Sequence, residues 1–215
     1  MSAKLFYTPT SCGAASFIVA SKAGLIGTVV TAYEVDIRSH VIVSGDLAGK
    51  NYYDYNPKGN VGCVILPDGT VLNENAAVLQ WLADQAPTSS LAPANGSSAR
   101  YLLQSKLSYI STEIHTNYGP LFNPACLPEV AQNAKTNLAA KFDYLSKVEF
   151  KTKQFIVGDH FTVADALLYI VLSWSPYVKV DLTPFPAVQA YFERIAALDF
   201  VKAAHAAMAA ASPKK

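Results

Sequence analysis

The spacing of hydrophobic residues changes part-way along the chain, and that change divides it. In the first part, Leu5-Phe6-Tyr7 is a short apolar run that predicts a strand. The stretch from Ala14 to Ala23, with Phe17 and Ile18 inside it and Gly24 behind it, predicts a helix with a glycine stop. Thr28 to Val35 is β-branched and aromatic, with Val29, Thr31, Tyr33 and Val35 on one face, and predicts a second strand. A helix between two strands makes a βαβ unit, so these strands are expected to be parallel. Residues 36–49 show no period and read as a loop. Tyr52, Tyr53 and Tyr55 fit a short packed helix that must stop before the turn signal Asn56-Pro57-Lys58-Gly59. Val61 to Leu66 and Val71-Leu72 flank Pro67-Asp68-Gly69-Thr70, the pattern of an antiparallel hairpin. Asn73-Glu74-Asn75 offers caps for a helix from Ala76 to Gln85, with Val78, Leu79 and Leu82 on its apolar face and Pro87 as its stop. The expected order is βαβαββα over residues 1–86, enough for a small mixed-sheet domain.

From Pro87 the pattern differs. Residues 87–98 are rich in Ser, Pro, Ala and Gly and read as a linker. Beyond them helical spacing takes over: Leu103, Leu107, Ile110 and Ile114 line one helix, and Val130, Ala134, Leu138, Phe142 and Leu145 another. Residues 99–211 are therefore read as an all-helical domain. Gly158 to Asp165 carries a capping-box variant in which Thr162 is the cap and Asp165 the acid three residues on. The apolar run behind it, Ala166 to Val171, places Asp165 in the interior as a structural group. The alanine-rich end from Ala203 is expected to fray, with Lys214-Lys215 as a solvated tail.

Composition narrows the function classes. Of 215 residues, 17 are basic and 16 acidic, and these are scattered, which argues against nucleic acid or anionic lipid as a partner. No apolar run approaches the roughly 20 residues that a membrane helix needs. There is no secretory signal pattern, and the three cysteines, Cys12, Cys63 and Cys126, form no C-x-x-C pair, so a reduced cytoplasmic protein is expected. The four histidines show no ligand spacing, and no metal site is expected. Phosphate-loop, dinucleotide and serine-hydrolase motifs are absent.

One stretch carries candidate chemistry. Phe6-Tyr7-Thr8-Pro9-Thr10-Ser11-Cys12-Gly13-Ala14 sits between the first strand and the first helix. Cys12 then falls at a helix N-terminus, where free N–H groups and the helix dipole favour a thiolate. A packed, unreactive cysteine is the other reading, and spacing alone leaves both open.

The chain as a whole resembles the beta-class, bacterial-type glutathione S-transferases. The resemblance rests on Phe6-Tyr7-Thr8-Pro9 with Ser11-Cys12, on Asn56-Pro57-Lys58-Gly59, on Glu74, on His115 with Tyr118, Pro120, Leu121 and Phe122, and on Gly158 to Asp165. It implies an α/β thioredoxin-like N-terminal domain that holds glutathione, plus an all-α C-terminal domain that supplies most of the pocket for a small hydrophobic electrophile. It also implies a homodimer and a role in detoxification. Cys12 matches the family cysteine that forms a mixed disulfide with glutathione, and with Ala15 three residues on it would act as a monothiol. Glu74 matches the acid that pairs with the peptide's α-amino group, followed by Asn75, whose backbone N–H can bind a carboxylate. His115 is implied as a donor to glutathione or to the Cys12 sulfur, and Tyr7 as a supporting hydroxyl. Ser11, His40, Val61 and Ser108 complete the implied glutathione contacts, His40 where the family commonly has a basic residue and Ser108 where it has a helical asparagine. The family has a cis-proline after the valine matched by Val61, whereas this chain has Gly62. Because a cis bond before a non-proline residue costs about 2.5–4 kcal/mol, Val61-Gly62 is expected to be trans. Together with the departures at His40 and Ser108 this implies weakened or altered glutathione recognition, and Gly62 motivates a second reading: a non-catalytic, transferase-derived ligand-binding or interaction protein.

Overall fold

Parallel pairing of the first two strands, forced by the helix between them, organises the N-terminal half. The computed structural model describes residues 2–212, so Lys214 and Lys215 lie outside the described residues. Strands β1 (Ala3–Tyr7) and β2 (Val30–Asp36) run parallel, with Leu5 opposite Ala32, and helix α1 (Gly13–Lys22) connects them. β3 (Val41–Ile42) pairs antiparallel with β2, while β4 (Cys63–Ile65) and β5 (Val71–Leu72) form the antiparallel hairpin on the other side of β1. Among the described residues the sheet order is β3-β2-β1-β4-β5.

Three local expectations change. Residues 36–49 contain β3, whose two residues are too few to display a strand period. Tyr52–Asp54 forms a single 3₁₀ turn capped by Asn51, whose side chain accepts from Tyr53 N. The Val61-Gly62 peptide is cis, not trans. Small or short side chains surround it: Gly13 approaches its backbone, and Ser16 and Asn75 lie over Gly62. That tertiary packing outweighs the local preference.

α1 is buried along its first eight residues, Gly13 to Ala20, which places a nearly all-round apolar helix inside its unit. It packs against α2 (Asn75–Asp84) and against the last helix, α7 (Asp199–Ala211). Between Ala203 and Ala211 the chain is therefore helical where fraying is expected; Val201, Ala204 and Met208 are buried and hold α7 in place. On the other sheet face Phe6, Tyr33, Val35, Ile42, Tyr52, Val61 and Cys63 form one cluster.

The chain divides into two compact units. The first runs to Ala92 and takes up the chain again from Leu198, and the second is Pro93–Ala197. In this grouping α7 lies with the first unit. The second unit contains α3 (Ser98–Tyr109), α4 (Pro128–Tyr144), α5 (Val163–Ser173) and α6 (Pro186–Ala197), with π-helical turns extending α3 over Ile110–His115 and α4 over Leu145–Glu149. Ala134, Leu138, Phe142 and Leu145 are buried as their spacing predicts, but Val130 is 43% exposed, one turn into α4 where the helix is still at the surface.

α5 is the centre of the second unit, buried from Val163 to Leu172. Its start is the predicted capping box of Thr162 and Asp165. The Asp165 carboxylate accepts from Thr162 N, Thr162 Oγ1, Ile156 N and Tyr191 Oη, each at 2.9–3.0 Å. Burial pushes its pKa up to about 6, and these four donors oppose the rise. Replacing Asp165 by Asn turns an NH₂ group toward buried donors. Asp165→Asn is expected to destabilise the protein by about 2–4 kcal/mol, read as a lower urea midpoint with an unchanged slope.

Candidate functional site

The turn between β1 and α1 is fixed mainly by its own short polar side chains. Thr8 Oγ1 donates to Val35 O at 2.6 Å and anchors the turn to β2. Ser11 Oγ donates to Thr8 O at 3.0 Å and accepts from Gly13 N at 3.1 Å, so it satisfies one of the free N–H groups at the head of α1. Cys12 is the N-cap of α1, as its spacing predicts.

Its protonation state is not what the helix end alone predicts. Cys12 Sγ donates to Val61 O at 3.2 Å, and the thiol is pushed up to about 11. Burial is the largest cause; the backbone N–H groups of Cys12 and Gly13 oppose it, the Glu74 charge adds to it and the N–H of Gly62 opposes it. The helix-end effect is present, but desolvation of the charged form exceeds it. Of the two readings that spacing leaves open, burial favours the packed thiol.

Val61 contributes its carbonyl to this contact and is itself buried. Asn75, the first residue of α2, lies beside the same turn: its Nδ2 donates to Cys12 O at 2.6 Å, and its Oδ1 accepts from Ser16 Oγ. Glu74 precedes it with φ +68°, outside the helix, and its exposed carboxylate pairs with Lys58 Nζ at 3.0 Å. Both partners are more than half exposed, so this pair contributes little stability. It is nevertheless held from below. Buried Asn56 accepts at Oδ1 from Lys58 N and Asn73 Nδ2 and donates from Nδ2 to Asn60 O, tying the two loops that carry Lys58 and Glu74.

The first unit thus brings Ser11, Cys12, Val61, Glu74 and Asn75 around the head of α1. Tyr7 is in the core, 1% exposed and packed on Phe17 at 4.6 Å between ring centres. Burial and then the Glu34 charge push it up to about 12, so a tyrosinate has no part in the site at neutral pH. His40, at φ +54°, stacks on Tyr53 at 4.4 Å, and both rings lie over Gly59, in the turn that holds Lys58. In the second unit Ser108 is exposed on α3, and His115 meets the Trp174 ring edge-on at 5.1 Å. Trp174 also takes edge contacts from Tyr118 and Phe122; the sequence joins His115, Tyr118 and Phe122 in one short motif, while Trp174 comes from a distant segment and has no signal of its own. Among the described residues no three His, Cys, Asp or Glu side chains gather as metal ligands, and no helix is long and apolar enough to cross a membrane.

Comparison with known proteins decides the family. A glutathione S-transferase GstA of Escherichia coli O157:H7 is 36% identical over 193 residues, covering 90% of this chain and 92% of that protein. The chain belongs to the glutathione S-transferase family. The family model for the glutathione S-transferase C-terminal domain matches residues 109–199. A sphingomonad glutathione S-transferase solved in complex with glutathione is 36% identical with a TM-score of 0.87, covering 96% of this chain and 98% of that one. A beta-class glutathione S-transferase of Sphingomonas chungbukensis is 34% identical with a TM-score of 0.86, covering 95% of this chain and 98% of that one. The expected fold, a thioredoxin-like domain plus a helical one, and the bacterial beta-class relationship are both shown by these matches. The chain is accordingly a glutathione S-transferase enzyme.

The state of Cys12 has a direct readout. In a Cys126→Ala background, alkylation of Cys12 by iodoacetamide should keep accelerating as pH rises through the region of about 11, because only the thiolate reacts. Levelling below about pH 8 would show a low-pKa cysteine and contradict the buried-thiol account.

Proposed function

We propose that this glutathione S-transferase binds glutathione at the head of α1 and conjugates it to small hydrophobic electrophiles, with the sulfur of glutathione itself as the nucleophile. The observation that carries this reading is the place of Cys12 at the N-terminus of α1, with its Sγ 3.2 Å from Val61 O. Its single S–H is given to Val61 O, and turned from that carbonyl to an incoming sulfur it would join the N–H groups of the helix end in favouring the thiolate of that sulfur. Glu74 is the proposed partner of the α-amino group of the peptide, and the backbone N–H of Asn75 that of its α-carboxylate. To reach Glu74, the peptide ammonium competes with Lys58, and the exposure of that pair makes the exchange inexpensive.

Val61 is proposed to line the cysteinyl part of glutathione, while His40, beside the Lys58 turn, and Ser108 and His115 in the second unit are further proposed contacts, carried by the family resemblance. Exchange of glutathione mixed disulfides is a proposed secondary activity of Cys12. There the Cys12 thiol must first lose its proton, attack the glutathione sulfur and release the other thiol, so its rate rises with pH. A homodimer, a cytoplasmic location and a detoxifying role complete the proposal. The named relatives are transferases, and nothing among them favours the non-catalytic alternative.

Two assays separate the activities. With glutathione and a chromogenic electrophile, Cys12→Ala should keep conjugation within about tenfold of wild type, because it removes one donor and not the nucleophile. With hydroxyethyl disulfide, the same variant should lose exchange altogether. Folded protein with neither activity in the wild type would refute the enzyme assignment; conjugation abolished by Cys12→Ala would refute the role of glutathione as sole nucleophile.

A further inference from the structure

The family reading gives Asn75 a role through its backbone, yet its side chain faces the other way, into the protein. Nδ2 donates to the carbonyl of Cys12 at 2.6 Å, and Oδ1 accepts from Ser16 Oγ. The Cys12 carbonyl also accepts from Ala15 N at 3.1 Å, inside the first turn of α1. Residues 12 and 16 are four apart and lie on one face of that turn, so a single amide from α2 holds both. The sulfur of Cys12 is attached to the residue whose carbonyl is held, and its own acceptor, Val61 O, comes from a third segment. Rotation of the α1 head relative to residues 61–62 is thereby set by Asn75.

The glycine at 62 belongs to the same arrangement. A Cβ there would lie 2.8 Å from Ser16 Oγ, 3.0 Å from Asn75 Oδ1 and 3.3 Å from Ser16 Cβ. The first two are the atoms of the Ser16–Asn75 hydrogen bond, so a side chain at 62 and that bond compete for one volume. The proline that the family resemblance places at this position would occupy the same space.

We propose that Asn75 is a positioning residue for the Cys12 sulfur, acting through the Cys12 carbonyl, and that Gly62 is coupled to it because only glycine leaves room for the Ser16–Asn75 bridge. Asn75 touches neither substrate nor sulfur with its side chain; it fixes where the sulfur sits. The inference about Cys12 geometry stands on hydrogen bonds within the first unit, and only its kinetic consequence rests on the glutathione reading.

The test combines thiol chemistry with a double-mutant cycle, in a Cys126→Ala background. Asn75→Ala should release the turn, so that iodoacetamide alkylates Cys12 at least about fivefold faster at about pH 8, while mass spectrometry finds Cys63, fully buried in the core, unmodified as a monitor of folding. The same variant should lower kcat/KM for glutathione by at least about fivefold. Asn75→Asp keeps an acceptor for Ser16 but sets an oxygen against the Cys12 carbonyl, and should be no better than Asn75→Ala. Gly62→Ala should cost kcat/KM about as much as Asn75→Ala does, roughly fivefold in the parent, and less than about twofold in Asn75→Ala, where the bridge is already gone. Cys12 alkylation unchanged within about twofold in Asn75→Ala would overturn the positioning role, and equal costs of Gly62→Ala in both backgrounds would overturn the coupling. Were the glutathione reading itself wrong, the parent would show no turnover, and the alkylation arm would still decide the positioning role.

Discussion

The hydrogen bond from the Cys12 thiol to the Val61 carbonyl is the contact on which the site depends, because it joins the head of α1 to the segment entering β4. Three segments distant in sequence have to meet for it to form. β1 delivers the turn, the β4 hairpin delivers residues 61 and 62, and α2 delivers Asn75. Each approach is close, and each is permitted by small residues: Gly13 lies against Gly62, where an added Cβ would stand 3.0 Å from the Gly62 nitrogen. α1 can sit so deep because its first eight residues are small or apolar and fully buried. The chemistry at Cys12 is a consequence of that depth.

Opposing electrostatic effects meet at this sulfur, and magnitude decides between them. The N–H groups at the helix end favour a thiolate, but desolvation raises the thiol to about 11, so the donor wins over the nucleophile in the free protein. At Tyr7 burial and the Glu34 charge act in the same direction, pushing a phenol that is already neutral at pH 7 up to about 12. Such a site is suited to accepting a thiolate from outside. In the family to which the chain belongs, glutathione is the thiol that fills that role.

Much of this was legible in the sequence because it is local. Period two and period three-to-four patterns, with the Pro67-Asp68-Gly69 turn and the Gly24 stop, place β1, α1, β2, the hairpin and α2 close to where they are found. The Thr162–Asp165 capping box was legible for the same reason, being contained within four residues. What escaped was non-local. β3 is too short for a period, and the grouping of α7 with the first unit depends on contacts with α1, far away in the chain. The protonation of Cys12 is open at the level of sequence because its position at a helix end is written locally, whereas its burial is supplied by segments around 61 and 75. The intrinsic preference of Val61-Gly62 is local and its surroundings are not, and the inward turn of Asn75 has no sequence signal besides the unusual presence of a glycine at 62.

The central claim is that Cys12 stays a thiol so that the thiolate in the site is the one glutathione brings. Ultraviolet thiolate absorbance near neutral pH tests it most directly, measured with and without glutathione on wild type and Cys12→Ala. The account predicts no thiolate band from the free protein and, on adding glutathione, a new band in both proteins, smaller in Cys12→Ala, which lacks one donor to that thiolate. A band already present in free wild type and missing from Cys12→Ala would contradict it.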